Sequence, residues 1–425
     1  MSYWLKRQDS MNNTSIITIG NEILIGHTVN TNAAYLAERL LSIGIPVVSE
    51  HTVGDCVGRI VQAFRLAADE ADLILVTGGL GPTEDDLTRQ ALAQFLKVDL
   101  QFDEGLFREI EERFKKRGIV MSSNNKMQAF MPAGTTALEN KIGTAAGIKA
   151  SWQGKLFFVM PGVPYEMRLM FEDSVLPEIG KLADKKAGRA VAIKKLNCFG
   201  AGESQIAEML SDVGARDRNP QINYTVNFGI VTVHITAEAE SIKEATKMAK
   251  ADEQLIRKRL GSLVFSTGEQ GLAEVVGRLL AERKKTLATA ESCTGGLLAG
   301  LITDIAGASR YFTHGWITYS NKAKMSELDV PAELIGKYGA VSEEVASAMA
   351  KGARKRAGTD YTIAITGIAG PGGGTEQKPV GLVYISVEGG GIETKRFVFA
   401  GDRNSIRIRA ANTALNMLRG RLQID

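Results

Sequence analysis

The sequence predicts an α/β protein with two separate α/β domains, each a mainly parallel or mixed sheet covered by helices, joined by a small α+β connector. Three observations predict it. The run Leu73-Ile74-Leu75-Val76 is apolar on both faces, as a central strand covered by helices must be. Strand-like and helix-like patterns alternate in both halves of the chain, the rhythm of a helix-covered sheet. That rhythm breaks between residues 176 and 262, and 425 residues exceed what one hydrophobic core sustains.

Residues 1–14 read as a polar tail with no apolar stretch that would make a secretory signal. Ser15 to Ile19 forms a first strand, and the next helix carries Leu36, Leu40 and Ile43 at helical spacing until Gly44 stops it. Val47 to Val53 is a second strand, followed by a helix through Ile60 and Phe64 and then by the buried run at Leu73. Phe157 to Met160 is a later strand ended by the breakers of PGVP, and a helix from Tyr165 closes this domain, 15–175. In the connector, 176–262, KKAGRA is a charged link, and alternation at Thr232, His234 and Thr236 marks a half-exposed strand. The second domain, 263–425, opens with an amphipathic helix bearing Val275, Leu279 and Leu280. The strand TLATA, a glycine-started helix, the strand WITYS and a helix near Ser342 follow. YTIAITG, the glycine-rich loop GIAGPGGGTEQKPVG, the strands LVYISV and KRFVFA, and a helix from Arg403 complete it.

Composition removes several functions. No segment approaches the ~20 apolar residues of a membrane span, so a soluble protein of the cytoplasm with no membrane partner is expected. A formal charge of +3, with Lys and Arg scattered, argues against nucleic acid as a partner. The three cysteines, Cys56, Cys198 and Cys293, lie far apart, and with four histidines in no ligand spacing neither disulfides nor a zinc site is expected.

Two strand-to-helix junctions carry chemistry. In TGGLGPTEDDLT, Thr77 to Thr88, a buried strand runs into a glycine-rich turn and a helix, which aims backbone N–H groups at an anion. Asp85 and Asp86 are expected at the start of that helix, either as simple N-terminal caps or as ligands of a divalent cation such as Mg²⁺ beside a phosphate. In TAESCTGG, Thr289 to Gly296, a hydroxyl stands at the turn, and Thr294, Gly295 and Gly296 follow as backbone donors to an oxyanion. Ser292 is then a nucleophile, or only a helix cap. Tyr319 and Lys324, in WITYSNKAK, are expected to face the same crevice at the carboxyl end of the sheet. Lys324 serves as a base if burial and a neighbouring cation depress its pKa, and Arg403 is expected to be that cation or to hold a substrate phosphate. Cys293 is a competing nucleophile, with His314 upstream of Tyr319, but adjacent residues of an extended segment face opposite ways, so Cys293 is expected to be buried filler. Gly372 to Gly374 either let backbone approach a ligand or form a flexible surface loop.

These motifs resemble the CinA (competence/damage-inducible) family. GNEILIG, TVGD, TGGLGPTEDD, GTAAG and MPGVPYEM are similar to its molybdopterin-binding-like domain, and ESCTGG, YSNKAK, TGIAGPGGG, KPVG and GDRNSIR to its C-terminal domain. The resemblance implies a nicotinamide-nucleotide amidase that converts nicotinamide mononucleotide to nicotinate mononucleotide and ammonia without a cofactor. It makes Ser292 the nucleophile, Lys324 its base with Tyr319 in support, Arg403 a substrate-binding residue, and Thr366 and Gly367 pocket-lining residues. For the first domain it implies a nucleotide diphosphate over Thr77, Gly78, Gly79, Gly81 and Thr83, with a metal near Asp85 and Asp86, Glu22 adding a carboxylate, and ADP-ribose as substrate. It also implies a homodimer. The competing reading is a catalytically silent pterin- or nucleotide-binding protein linked to competence.

Overall fold

The computed structural model describes residues 13–183, 190–215 and 217–424. Most of the polar tail and nearly all of the KKAGRA link lie outside the described residues. The chain divides into two compact units: residues up to 192 with 238–246, and residues 193–237 with 247 onward.

In the first unit the strands are β1 (Thr14–Ile19), β2 (Val47–Val53), β3 (Leu73–Thr77), β4 (Leu100–Phe102), β5 (Phe130–Pro132), β6 (Thr136–Leu138), β7 (Gly147–Trp152) and β8 (Lys155–Met160). Six of them form one sheet in the order β2-β1-β3-β8-β7-β6. The pairings from β2 to β8 are parallel, and β7 and β6 add antiparallel edges, so the sheet is mixed. β3 is buried along its whole length, which is why its sequence shows no polar alternation. One face packs Phe64 edge-on against Phe95 and Phe157, at centroid distances of 5.6 and 5.9 Å. Each such ring contributes roughly 1.5–3 kcal/mol by leaving water. The closing helix does not stop near residue 175: Pro164–Met170 continues through a single π turn, Phe171–Val175, into Leu176–Ala183, because Met167, Met170, Phe171, Val175 and Ile179 stay buried.

The second unit begins with β9 (Ala190–Phe199), β10 (Gln221–Asn227), β11 (Ile230–Ala239) and β12 (Val264–Thr267), in the order β10-β11-β9-β12. In β11, Val231, Val233 and Ile235 are buried while Thr232, His234 and Thr236 are half-exposed, the alternation expected of it. Next come β13 (Leu287–Glu291), β14 (Phe312–Ile317), β15 (Tyr361–Gly367), β16 (Leu382–Glu388) and β17 (Ile392–Val398), in the order β14-β13-β15-β16-β17. β14, β13 and β15 are parallel, and the last two strands turn back antiparallel. Phe199 and Phe265 of the small sheet join the core formed by Leu280, Ile363, Ile385 and Leu415. The 22-residue helix Arg403–Ile424 extends that bond: Arg419 donates from Nη2 to the Ser262 carbonyl at 2.8 Å.

Candidate active site

The three parallel strands of the second unit place their carboxyl ends together, and the open end of such a sheet is where loops converge on a ligand. β13 ends at Glu291, and Ser292 follows in a bend with its N–H on the Ile365 carbonyl of β15 at 2.9 Å. On the other flank Thr318 donates its N–H to the Glu291 carbonyl at 2.8 Å. Tyr319 therefore lies beyond β14 and not at its end. Ser320 caps the next helix, Asn321–Leu328, and Lys324 sits in its first turn.

Ser292 and Lys324 are brought into contact. Lys324 Nζ lies 3.0 Å from Ser292 Oγ and donates to the Thr318 carbonyl at 2.7 Å. The ammonium is 1% exposed, and burial pushes its pKa from the ordinary 10.5 down to about 8, with a small opposing effect from Cys293. The neighbouring cation expected to help is not among the causes, so burial alone depresses this lysine. With one N–H on the Thr318 carbonyl, Nζ stands within hydrogen-bond distance of the serine hydroxyl, close enough to take its proton when neutral.

The backbone donors differ from expectation. Gly295 N–H goes to the Ser292 carbonyl at 3.1 Å, and Gly296 N–H goes to the Glu291 carboxylate at 3.0 Å. Neither glycine has a proton left for a ligand. Their contribution is conformational: φ is +59° at Gly295 and +91° at Gly296, left-handed values that let the chain turn sharply after Ser292. The N–H groups of Cys293 and Thr294 are the ones that donate to no protein carbonyl or carboxylate among the described residues. Cys293 itself is 6% exposed within the core, and burial drives its thiol up to about 12, which removes it as a nucleophile. His314 stacks on Trp316 at 5.4 Å and hydrogen-bonds Thr313, an arrangement internal to β14.

Tyr319 and Arg403 form a second pair. Arg403, the first residue of the last helix, donates from Nη2 to Tyr319 Oη at 3.0 Å and from Nη1 to the Gly370 carbonyl at 2.7 Å. Tyr319 is 60% exposed, and its recorded partner is Arg403 and not Lys324, so the expected proton-relay contact is not formed here. The glycine-rich loop carrying Gly370 is tied down: Lys378 Nζ donates to the carbonyls of Tyr338 and Val341 at 2.6 and 2.7 Å. Thr366 is buried and donates its hydroxyl proton to the Ala340 carbonyl at 2.8 Å, which leaves that oxygen an acceptor only. At Gly367 a Cβ would meet the Leu382 carbonyl at 2.8 Å, which gives that glycine a packing role.

In the first unit, TGGLGPTEDD follows β3 as expected and borders a cleft of about 500 Å³ lined also by Glu22, Asp55, Thr144, Gly162 and Glu166. At Gly78, φ is +108°, and a Cβ would stand 2.0 Å from the Ile19 carbonyl, so only glycine fits. Gly79 is left-handed as well. Thr77 is buried and donates to the Pro161 carbonyl at 2.8 Å, a structural use of its hydroxyl. The helix begins at Thr88, and Asp85 and Asp86 lie in the turn before it. Asp86 accepts the N–H groups of Gly81 and Thr83 at 2.7 and 2.8 Å, one on each oxygen, while the Thr83 hydroxyl lies against both acids. This makes Asp86 a brace for the loop. Among the described residues no group of three His, Cys, Asp or Glu side chains could hold a metal ion. Sequence reasoning missed Arg89, which is buried beneath this loop, donates to the Leu80 carbonyl at 2.7 Å and is pushed down to about 10 by burial. It also missed Glu291, although a lone acid ending an apolar strand before two glycines was a legible signal.

These two units define the class: an α/β domain with a glycine-rich loop beside a cleft, followed by a domain with a serine–lysine pair at the carboxyl end of three parallel strands. Residues 15–181 match the family described as "Probable molybdopterin binding domain", residues 193–266 the Damage-inducible protein CinA KH domain, and residues 269–422 the CinA C-terminal domain. The chain is 43% identical to a competence-damage inducible protein of Clostridium beijerinckii over 95% of its own length and 98% of the relative's. It is 42% identical to a CinA-like protein of Kosmotoga olearia, covering 95% and 97% of the two chains. A crystal structure of CinA, of unknown function, from Thermoplasma acidophilum is 38% identical, covers 40% of this chain and 98% of its own, and has a TM-score of 0.37. The chain belongs to the CinA family of competence-damage inducible proteins. Among the described residues no helix is long and apolar enough to cross a membrane.

Proposed function

We propose that the second unit hydrolyses the carboxamide of nicotinamide mononucleotide. One observation carries the reading: a buried lysine, tuned to about 8, sits 3.0 Å from a serine hydroxyl at the carboxyl end of a parallel sheet. Neutral Lys324 takes the Ser292 proton as Oγ attacks the carboxamide carbon. The oxyanion meets the N–H groups of Cys293 and Thr294, each such donor contributing roughly 3 kcal/mol. Protonated Lys324 returns the proton to the departing nitrogen, ammonia leaves, and water cleaves the acyl-serine to give nicotinate mononucleotide. Arg403, oriented by Tyr319 and Gly370, has N–H groups left over for the substrate phosphate. No cofactor takes part in these steps. The test is ammonia release from nicotinamide mononucleotide, with the phosphate-free riboside as control. Ser292→Ala is expected to lose at least ~10³-fold in turnover, and the riboside to react poorly; equal turnover by the variant would sink the reading.

The first unit supports a second activity, ADP-ribose cleavage, on the strength of its 500 Å³ cleft floored by the Gly78–Gly81 backbone. Since Asp86 is spent on the loop, a divalent ion suits this site only when the substrate's phosphates supply much of its coordination, as they commonly do for Mg²⁺. AMP release from ADP-ribose across Mg²⁺, Mn²⁺ and Co²⁺ is the expected result, and Ser292→Ala should leave it unchanged; silence with all three ions removes this activity.

A further inference from the structure

The peptide groups around Ser292 are almost fully committed, and one side chain does most of the committing. Glu291 is 1% exposed. Its Oε2 accepts the N–H groups of Gly296 and Leu298 at 3.0 and 3.1 Å, and its Oε1 accepts that of Ala299 at 2.8 Å. A carboxylate is this well buried only when its charge is met, here by three N–H donors at the start of the Leu297–Thr303 helix. The same residue's carbonyl holds the N–H of Thr318, whose own carbonyl holds Lys324 Nζ. Glu291 thus touches both the turn after the nucleophile and the segment that aims the base.

The turn is gripped from its other side too. Arg407 donates from Nη2 and Nε to the Thr294 carbonyl at 2.6 and 3.2 Å. Glu291 fixes the N–H groups of Gly296, Leu298 and Ala299, Arg407 fixes the Thr294–Gly295 peptide through its carbonyl, and the Gly295 N–H in that peptide holds the Ser292 carbonyl at 3.1 Å, which fixes the Ser292–Cys293 peptide. The Ser292–Cys293 peptide carries the Cys293 N–H, and the Cys293–Thr294 peptide, clamped between these two fixed planes, carries the Thr294 N–H.

We infer that Glu291 is a positioning residue for catalysis, acting with Arg407 to hold the Ser292–Gly296 turn so that the Cys293 and Thr294 N–H groups stay directed at the reacting carbonyl. This rests on the serine–lysine reading of the site. Helix capping alone would make Glu291 matter for stability only. Positioning makes it matter for the transition state, because a misaimed oxyanion donor costs rate while leaving ground-state binding intact.

The experiment compares wild type, Glu291→Gln and Arg407→Gln in the full chain, by steady-state turnover of nicotinamide mononucleotide and by the rate at which a fluorophosphonate labels Ser292. Glutamine keeps the shape of Glu291 but turns an NH₂ toward backbone donors. The expected result is a kcat lowered ~10- to 100-fold with KM within about twofold, and labelling slowed in step. The pH midpoint near 8 should persist, since Lys324 is untouched. Arg407→Gln, which relaxes the same turn from a half-buried position, should reproduce the kcat loss and covers the case in which Glu291→Gln fails to fold. Folded variants with wild-type kcat and labelling, or a loss confined to KM or to the unfolding temperature, overturn the inference. If wild type leaves nicotinamide mononucleotide intact, the proposed substrate fails; slowed labelling in the variants then upholds positioning, and unchanged labelling rejects it.

Discussion

At the scale of single residues, the site turns on one proton. A lysine whose folded-state pKa is lowered is disfavoured in its charged form, so its base form appears as pH rises through about 8. The amidase kcat/KM is therefore expected to climb about tenfold per pH unit below that value and to level off above it. A profile flat from pH 6 to 9 would show that Lys324 is not the base. The same sign governs stability: charged Lys324 strains the fold below pH 8, and the strain lifts as pH approaches 10.5. Ser292 and Lys324 were legible in the sequence because each ends a strand or opens a helix, positions that fix where a side chain goes. The partner of Tyr319 was not legible. A residue in a loop takes its direction from tertiary neighbours, and Arg403 lies 84 residues away. Gly295 and Gly296 were identified as part of the turn but assigned the wrong duty, since the Gly295 N–H turns back to the Ser292 carbonyl and the Gly296 N–H is taken by the Glu291 carboxylate five residues before it.

At the scale of elements, helix placement sets the base. The helix Glu343–Ala357 approaches the end of the Lys324 helix so closely that a Cβ on Gly352 would stand 1.8 Å from the Leu328 carbonyl. Backbone cannot yield as a flexible side chain can. Gly352→Ala is expected to push the Asn321–Leu328 helix outward, costing ~1–3 kcal/mol of stability and lowering kcat by ~10²-fold through misplacement of Lys324. Kinetics matching wild type would mean that the two helices can separate without moving Nζ. Elements were largely readable from period and punctuation; the miss at the closing helix of the first domain came from treating Tyr165 to residue 175 as complete. A π turn realigned the apolar face and carried the helix to Ala183.

At the scale of the whole molecule, sequence rhythm separated the small sheet from the last domain, yet the two share a core. The reason lies in long-range contacts that no local pattern reveals: Phe199 and Phe265 pack with residues from Leu272 onward, and Arg419 reaches back to Ser262. Calorimetry should accordingly show the small sheet and the serine–lysine domain melting in one transition. Arg419→Ala, which removes a buried side chain and its tie to Ser262, is expected to lower that transition by several degrees, from a loss of ~1–3 kcal/mol. A separate third transition would refute the shared core.

The burial of Cys293 has a chemical consequence for the environment in which this centre can work. Oxidants and alkylating agents attack thiolates, and a thiol held near 12 inside the core supplies almost none. Because the residue before it carries an alcohol, the Ser292–Lys324 pair presents peroxides with no thiolate to oxidise. A site built on a cysteine thiolate would be silenced in a cell flooded with peroxide, whereas the Ser292–Lys324 pair offers no sulfur to oxidise.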